Sequence, residues 1–144
     1  MCMLFYLGCD YDAPCKPAWN EQAPAFHVRN VSADVLPRVR TQLPHAHLRY
    51  LGSRESCGCG FRSEYILTSM DRDAARLLAE AADHAALVAY LKPIPKWKRP
   101  MQILGCWAGD ETEAVIYRRD CTISELASPE FAFREREIIA LRTG

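Results

Sequence analysis

The stretch His45-Ala46-His47-Leu48-Arg49-Tyr50-Leu51-Gly52-Ser53-Arg54-Glu55-Ser56-Cys57-Gly58-Cys59-Gly60-Phe61 decides how this chain is read. Its first half alternates polar and apolar residues. That period of two belongs to a strand, with His45, His47 and Arg49 on one face and Ala46, Leu48 and Tyr50 on the other. Residues 52–56 read as a turn, and two thiols one residue apart, set in glycines, follow it. If 45–51 and 56–61 pair as a hairpin centred near Gly52, His47 faces Cys57 and His45 faces Cys59. Directly opposed Cβ atoms lie about 4.5–5.5 Å apart, so all four side chains would project from one patch. Two imidazoles and two thiolates suit tetrahedral zinc, at bond lengths of about 2.0–2.3 Å. The site depends on register, because a slip that changes face abolishes it.

On the N-terminal side, residues 3–7 read as a buried strand. Asp10, Pro14, Pro17 and Pro24 hold residues 9–25 in a loop that contains Cys9, Cys15 and Trp19. Residues 26–29 are extended, and 32–41 form a helical turn that Pro37 is expected to break. On the C-terminal side, residues 71–91 are the main helix. Leu77, Leu78, Ala81, Ala85 and Val88 share one side of it, and Arg72, Arg76, Glu80 and His84 recur at intervals of four on the other. Ser69 or Thr68 is placed to cap this helix, Asp71 and Asp73 face its dipole, and Pro93 limits its extension. Residues 101–107 read as a strand and 114–119 as its hairpin partner. Thr122-x-x-Glu125 marks a capped turn over 123–127. Over residues 129–142, Ser128-Pro129-Glu130 signals a helix start, while the alternation of Phe131 and Phe133 favours a strand, which we adopt. The expectation is an α+β fold in one domain spanning 1–144, a largely antiparallel sheet with one main helix.

Composition narrows the function classes. The 144 residues carry 18 basic and 18 acidic side chains, so no net field steers the chain toward nucleic acid or anionic lipid. The apolar opening reaches Gly8 and Asp10 too soon for a signal peptide, and no run approaches the roughly 18–20 apolar residues of a membrane span. A cytoplasmic location is therefore expected. Seven cysteines, an odd number without a secretory leader, argue for reduced thiols rather than a disulfide framework.

Other uses of the same residues remain open. Cys9 and Cys15 with Cys57 and Cys59 would make an all-sulfur centre for zinc or iron–sulfur, although the chain has no C-x₂-C knuckle. Cys57 and Cys59 could instead cycle through a strained disulfide, with Arg49, Arg54 or Arg62 favouring the thiolate. A nucleophile reading would use either thiol with His27, His45 or His47 as base and Asp10 or Asp12 as orienter. The plain structural alternative is a tight glycine turn with cysteines as small apolar fillers, and Cys106 and Cys121 read as core in any case. The basic loop Lys92-Pro93-Ile94-Pro95-Lys96-Trp97-Lys98-Arg99 offers a nucleotide or nucleic-acid surface, but the neutral remainder of the chain weighs against it.

Met1-Cys2-Met3-Leu4 together with Tyr50-Leu51-Gly52-Ser53 and Cys57-Gly58-Cys59-Gly60-Phe61 resembles a group of small bacterial proteins for which no activity is established. The resemblance implies a bacterial cytosolic origin and assigns no catalytic residue. The combined expectation is a small metal-binding or thiol-based accessory protein, not a turnover enzyme. Its metal would be zinc, and its ligands Cys57 and Cys59 with His45 and His47, or with Cys9 and Cys15. A structural or interaction module without metal is the alternative, and a homodimer through an exposed strand edge is compatible with either.

Overall fold

The computed structural model describes residues 2–16, 19–69, 71–95 and 100–142. Strand β1, Met3–Cys9, is the apolar run expected at the start of the chain, two residues longer, and it sits inside the sheet. Its Tyr6 lies opposite Tyr50 of β3 (His47–Gly52) on one side and opposite Leu104 of β4 (Gln102–Trp107) on the other, both pairings antiparallel. β2 (His27–Asn30) flanks β3, and β6 (Glu137–Arg142) flanks β4, again antiparallel. β5 (Tyr117–Thr122) closes the order β2-β3-β1-β4-β6-β5 by running parallel to β6. The fold is α+β on a largely antiparallel sheet, as expected.

Alternation along β1 divides the core in two. Met3, Phe5, Leu7 and Cys9 join Leu51, Ile103, Ile139 and Leu141 on the face covered by the long helix. Tyr6 joins Leu48, Tyr50, Leu104, Cys106 and Ile138 on the opposite face, under Val39 and Leu43. Helix α1, Leu36–Gln42, contains Pro37 in its first turn, where the missing N–H costs nothing. Pro37 therefore starts this helix and does not break it.

A short helix α2, Glu64–Ser69, precedes α3, Ala74–Leu91. Thr68 and Ser69 belong to α2, so neither caps α3. The cap is Asp73, whose carboxylate accepts the Arg76 N–H at 2.8 Å. The buried side of α3 also differs from expectation. Leu78 is 73% exposed and Leu77 44%, whereas Glu80, Asp83 and His84 are buried with Leu87, Val88 and Leu91. Amphipathicity by residue type misassigns the first half of this helix because its polar stripe is matched by arginines and backbone groups from the facing loops.

The strand expected over 114–119 is shifted to β5 and does not pair with β4. Both edges of β4 are taken by β1 and β6. β6 presents buried residues to both faces, whereas Tyr117-Arg118-Arg119-Asp120 is largely exposed and suits an edge. The Thr122–Glu125 capping box forms as expected, with Glu125 N–H donating to Thr122 Oγ1 at 3.3 Å and Thr122 N–H to Glu125 Oε1 at 3.4 Å. It opens a 3₁₀ turn over Ser124–Ala127. The tail is a strand, but it begins at Glu137, and Phe131 and Phe133 instead bury their rings in the core.

Candidate metal centre

The expected hairpin between 45–51 and 56–61 does not form. β1 and β2 occupy both edges of β3, and residues 58–60 make a 3₁₀ turn. Ser53, fully buried, organises the connection. Its N–H and hydroxyl both donate to the Cys57 carbonyl, at 2.9 and 2.6 Å. The same hydroxyl oxygen accepts the Gly60 N–H at 2.9 Å and the Glu55 N–H at 3.2 Å. Ser56 takes a left-handed φ of 74°, with its carbonyl accepting the Tyr50 hydroxyl at 2.8 Å.

This compact loop folds over the start of β1. A Cβ at Gly58 would lie 2.3 Å from the Phe5 ring and 2.7 Å from the Met3 carbonyl, so the backbone can lie there only without a side chain. At Gly60 a Cβ would meet the Ser53 hydroxyl at 2.3 Å. The glycines are therefore required by close approach, and that approach brings a third thiol to the pair. The sulfur atoms of Cys2, Cys57 and Cys59 all lie within 4.8 Å of one another, close enough to hold a metal ion. All three cysteines are free thiols, Cys2 exposed and the other two half-buried.

Hydrogen bonding differentiates the thiols. Cys59 Sγ accepts the Met3 N–H and Cys57 Sγ accepts the Cys59 N–H, each at 3.4 Å. A side-chain hydrogen bond from Cys57 is the main influence lowering the Cys59 pKa to about 6; burial opposes it, and the Met3 N–H adds to it. The donor side of the same bond, followed by burial, pushes Cys57 above the ordinary thiol range.

Behind the loop lies a charged layer in which polar residues of α3 meet arginines from the segments before it. Arg76 donates to the Cys59 carbonyl at 2.7 Å, and Arg54 to the Gly60 carbonyl at 3.2 Å and to Asp83 at 2.7 Å. Glu80, fully buried, is met by Arg72 at 2.7 Å, Arg76 at 2.9 Å and Arg62 at 3.4 Å. Burial alone would raise the Glu80 carboxyl pKa, but hydrogen bonds from Arg72 and Arg76 outweigh it and hold the group below its usual value. His84 completes the layer. It accepts the Arg62 N–H on Nε2 at 2.8 Å, so Nδ1 carries the proton and donates to the Leu126 carbonyl at 2.7 Å.

The other expected ligands lie elsewhere. His47 begins β3 and Gly52 ends it, a separation of about 16 Å at strand rise. His47 pairs in register with Cys9 and has its Nδ1 3.7 Å from Asp12. His45 is buried against Gly8 with Nε2 on Gln102 Oε1 at 2.7 Å. The Cys9 thiol donates to the Tyr11 carbonyl at 3.1 Å, and Cys15 lies 3.7 Å from Asn30 Oδ1. Among the described residues, neither histidine and neither of these cysteines belongs to the metal-capable group. Lys96, Trp97, Lys98 and Arg99 of the basic loop lie outside the described residues. Cys2 was not among the expected ligands. No spacing announces it, and the one clue was Gly58, whose missing side chain implies that another strand passes close by.

No protein-family model, curated protein or solved structure matches this chain. No helix among the described residues is long and apolar enough to cross a membrane.

Proposed function

We propose that this protein binds a thiophilic metal ion through Cys2, Cys57 and Cys59. The observation that carries the reading is the convergence of three sulfur atoms within 4.8 Å at the start of β1. Sulfurs bonded to one ion at about 2.3 Å sit about 3.8 Å apart, so the loop and strand need only a small closing movement. A site of this kind is pre-shaped by Ser53, Gly58 and the arginines behind the loop. Soft thiolates select zinc, Cu(I) or iron–sulfur iron over hard cations such as Mg²⁺ or Ca²⁺. Binding draws a proton from at least Cys57, whose thiol is held protonated in the metal-free state, so affinity rises with pH. The test is metal content of protein purified without a metal-affinity column. Near-stoichiometric metal that disappears with Cys57→Ser or Cys59→Ser supports the reading; metal-free protein that takes up none of these ions on titration refutes it.

A second reading, thiol chemistry at Cys59, is favoured by the hydrogen bonds that lower its pKa. It predicts a native thiol that alkylates far faster than Cys106 or Cys121, both buried with raised pKa values. Equal slow reaction of all these thiols excludes it.

A further inference from the structure

The sheet ends on β2 at one side and on β5 at the other, and the two edges are built differently. At β2 the preceding chain runs alongside, and Lys16 N–H donates to the Val28 carbonyl at 2.9 Å, so that edge is covered. At β5 no segment among the described residues plays this part. β5 runs parallel to β6, and in such a ladder every second residue directs its N–H and C=O at the neighbour. Tyr117 N–H donates to the Arg136 carbonyl at 3.3 Å and Ile123 N–H to the Arg142 carbonyl at 3.1 Å, which places 117, 119, 121 and 123 in the inward set. Arg118, Asp120 and Thr122 therefore turn their backbone groups away from the sheet. Thr122 N–H is taken by Glu125 Oε1 at 3.4 Å, which leaves Arg118 and Asp120 as the open pair.

The charges at these two positions decide what the edge fits. Arg118 and Asp120 stand two residues apart and so share a face of the sheet, both exposed and without an ion pair among the described residues. An edge of one sign would repel a copy of itself, but this one is self-complementary. Against a second β5 running antiparallel about a two-fold axis at Arg119, Arg118 of each copy lies opposite Asp120 of the other. Both are hydrogen-bonded pairs, so all the open N–H and C=O groups of Arg118 and Asp120 are used at once. An axis at Asp120 or at Arg118 would instead set that residue against itself, and would match its companion with Thr122 or Ile116, whose N–H groups are already engaged. Arg119 lies on the axis but on the other face, where Glu137 at 2.8 Å and the Phe131 ring hold its guanidinium within its own chain. Ile116 and Tyr117, 50% and 40% exposed, flank the seam.

We infer that this protein forms a two-fold symmetric homodimer by antiparallel pairing of β5 with β5 of a second copy, in the register that sets Arg118 against Asp120. The two six-stranded sheets then become one continuous sheet. The inference is independent of the metal-binding reading.

The test is sedimentation equilibrium of the reduced full chain across a concentration series, with a chelator present so that neither a disulfide nor a shared metal joins two chains. The expected result is a reversible monomer–dimer equilibrium. Arg118→Asp and Asp120→Arg each turn both attractive pairs into repulsive ones and should weaken dimerisation at least about tenfold. The double variant R118D/D120R reverses every pair and should restore it, and the two single variants should form a heterodimer when mixed. Circular dichroism shows that each variant keeps the fold. A chain that stays monomeric at millimolar concentration overturns the inference, as does a dimer indifferent to both single reversals. Weakening by the single reversals without recovery in the double variant or the mixture also overturns it, because the charge match defines the register.

Discussion

Gly58 is the residue on which the centre turns, since its lack of a side chain lets the thiol loop lie on β1. Gly58→Ala must displace the Phe5 ring or the loop itself, and overpacking of this kind costs about 1–3 kcal/mol. Urea unfolding should show that loss together with weakened metal uptake; an alanine variant as stable and as metal-competent as the parent would mean that the loop does not sit there. Ser53→Ala strands the Gly60 and Glu55 N–H groups and should cost about 1–3 kcal/mol, because it leaves donors without an acceptor. Cys59 offers a chemical readout. In metal-free protein its alkylation rate should rise through a midpoint near pH 6, the value to which its hydrogen bonds bring it, whereas an unassisted thiol would show a midpoint near 8.5. At this scale the sequence was informative: the thiol pair and its glycines stood out. The third sulfur did not, because Cys2 and Cys57 meet only through folding, at a sequence distance that no motif spans.

Helix α3 shows where periodicity stops being a guide. The rule that apolar residues face inward holds for Leu87, Val88 and Leu91 but fails for Leu77 and Leu78, which are exposed. Glu80 turns inward because three arginines and a closed loop await it; Arg72 and Arg76 share its helical spacing, but the single-helix pattern contains no information about Arg62 or the loop. The consequence is measurable. Glu80→Ala leaves these guanidiniums facing one another without their shared carboxylate and should destabilise by about 3–5 kcal/mol, as breaking a buried pair does. Leu78→Lys, at an exposed position, should change stability by no more than about 0.5 kcal/mol. The reverse ranking would restore the amphipathic face read from residue type. Edge strand β5 carries a related lesson. Its charged residues suit an edge, but the choice of β6 over β4 as partner is made by competition among strands, which no local segment encodes.

Across the whole molecule, stability and the centre share one layer of polar groups. His84 is buried and neutral, and burial is the main cause lowering its pKa to about 4. Because the native state resists protonation that the unfolded chain accepts near 6.5, the contribution of His84 is complete above that pH and is lost as pH falls through about 4. The shift corresponds to about 3 kcal/mol. Metal-free protein should therefore lose stability between pH 6.5 and 4, and His84→Leu, weaker at pH 7, should show a shallower decline over that interval; an unchanged slope would place the acid sensitivity elsewhere. The α+β class, the central buried strand and the principal helix were legible in the chain because long apolar runs and helical spacing are local. The assembly of the three thiols was not, since it depends on Ser53, Phe5 and α3 acting at once. Metal content of the full chain set against Cys2→Ser and against His45→Ala with His47→Ala tests that assembly most directly. The account predicts that metal is lost with Cys2 and kept without the histidines; metal kept without Cys2 and lost with the histidines would contradict it.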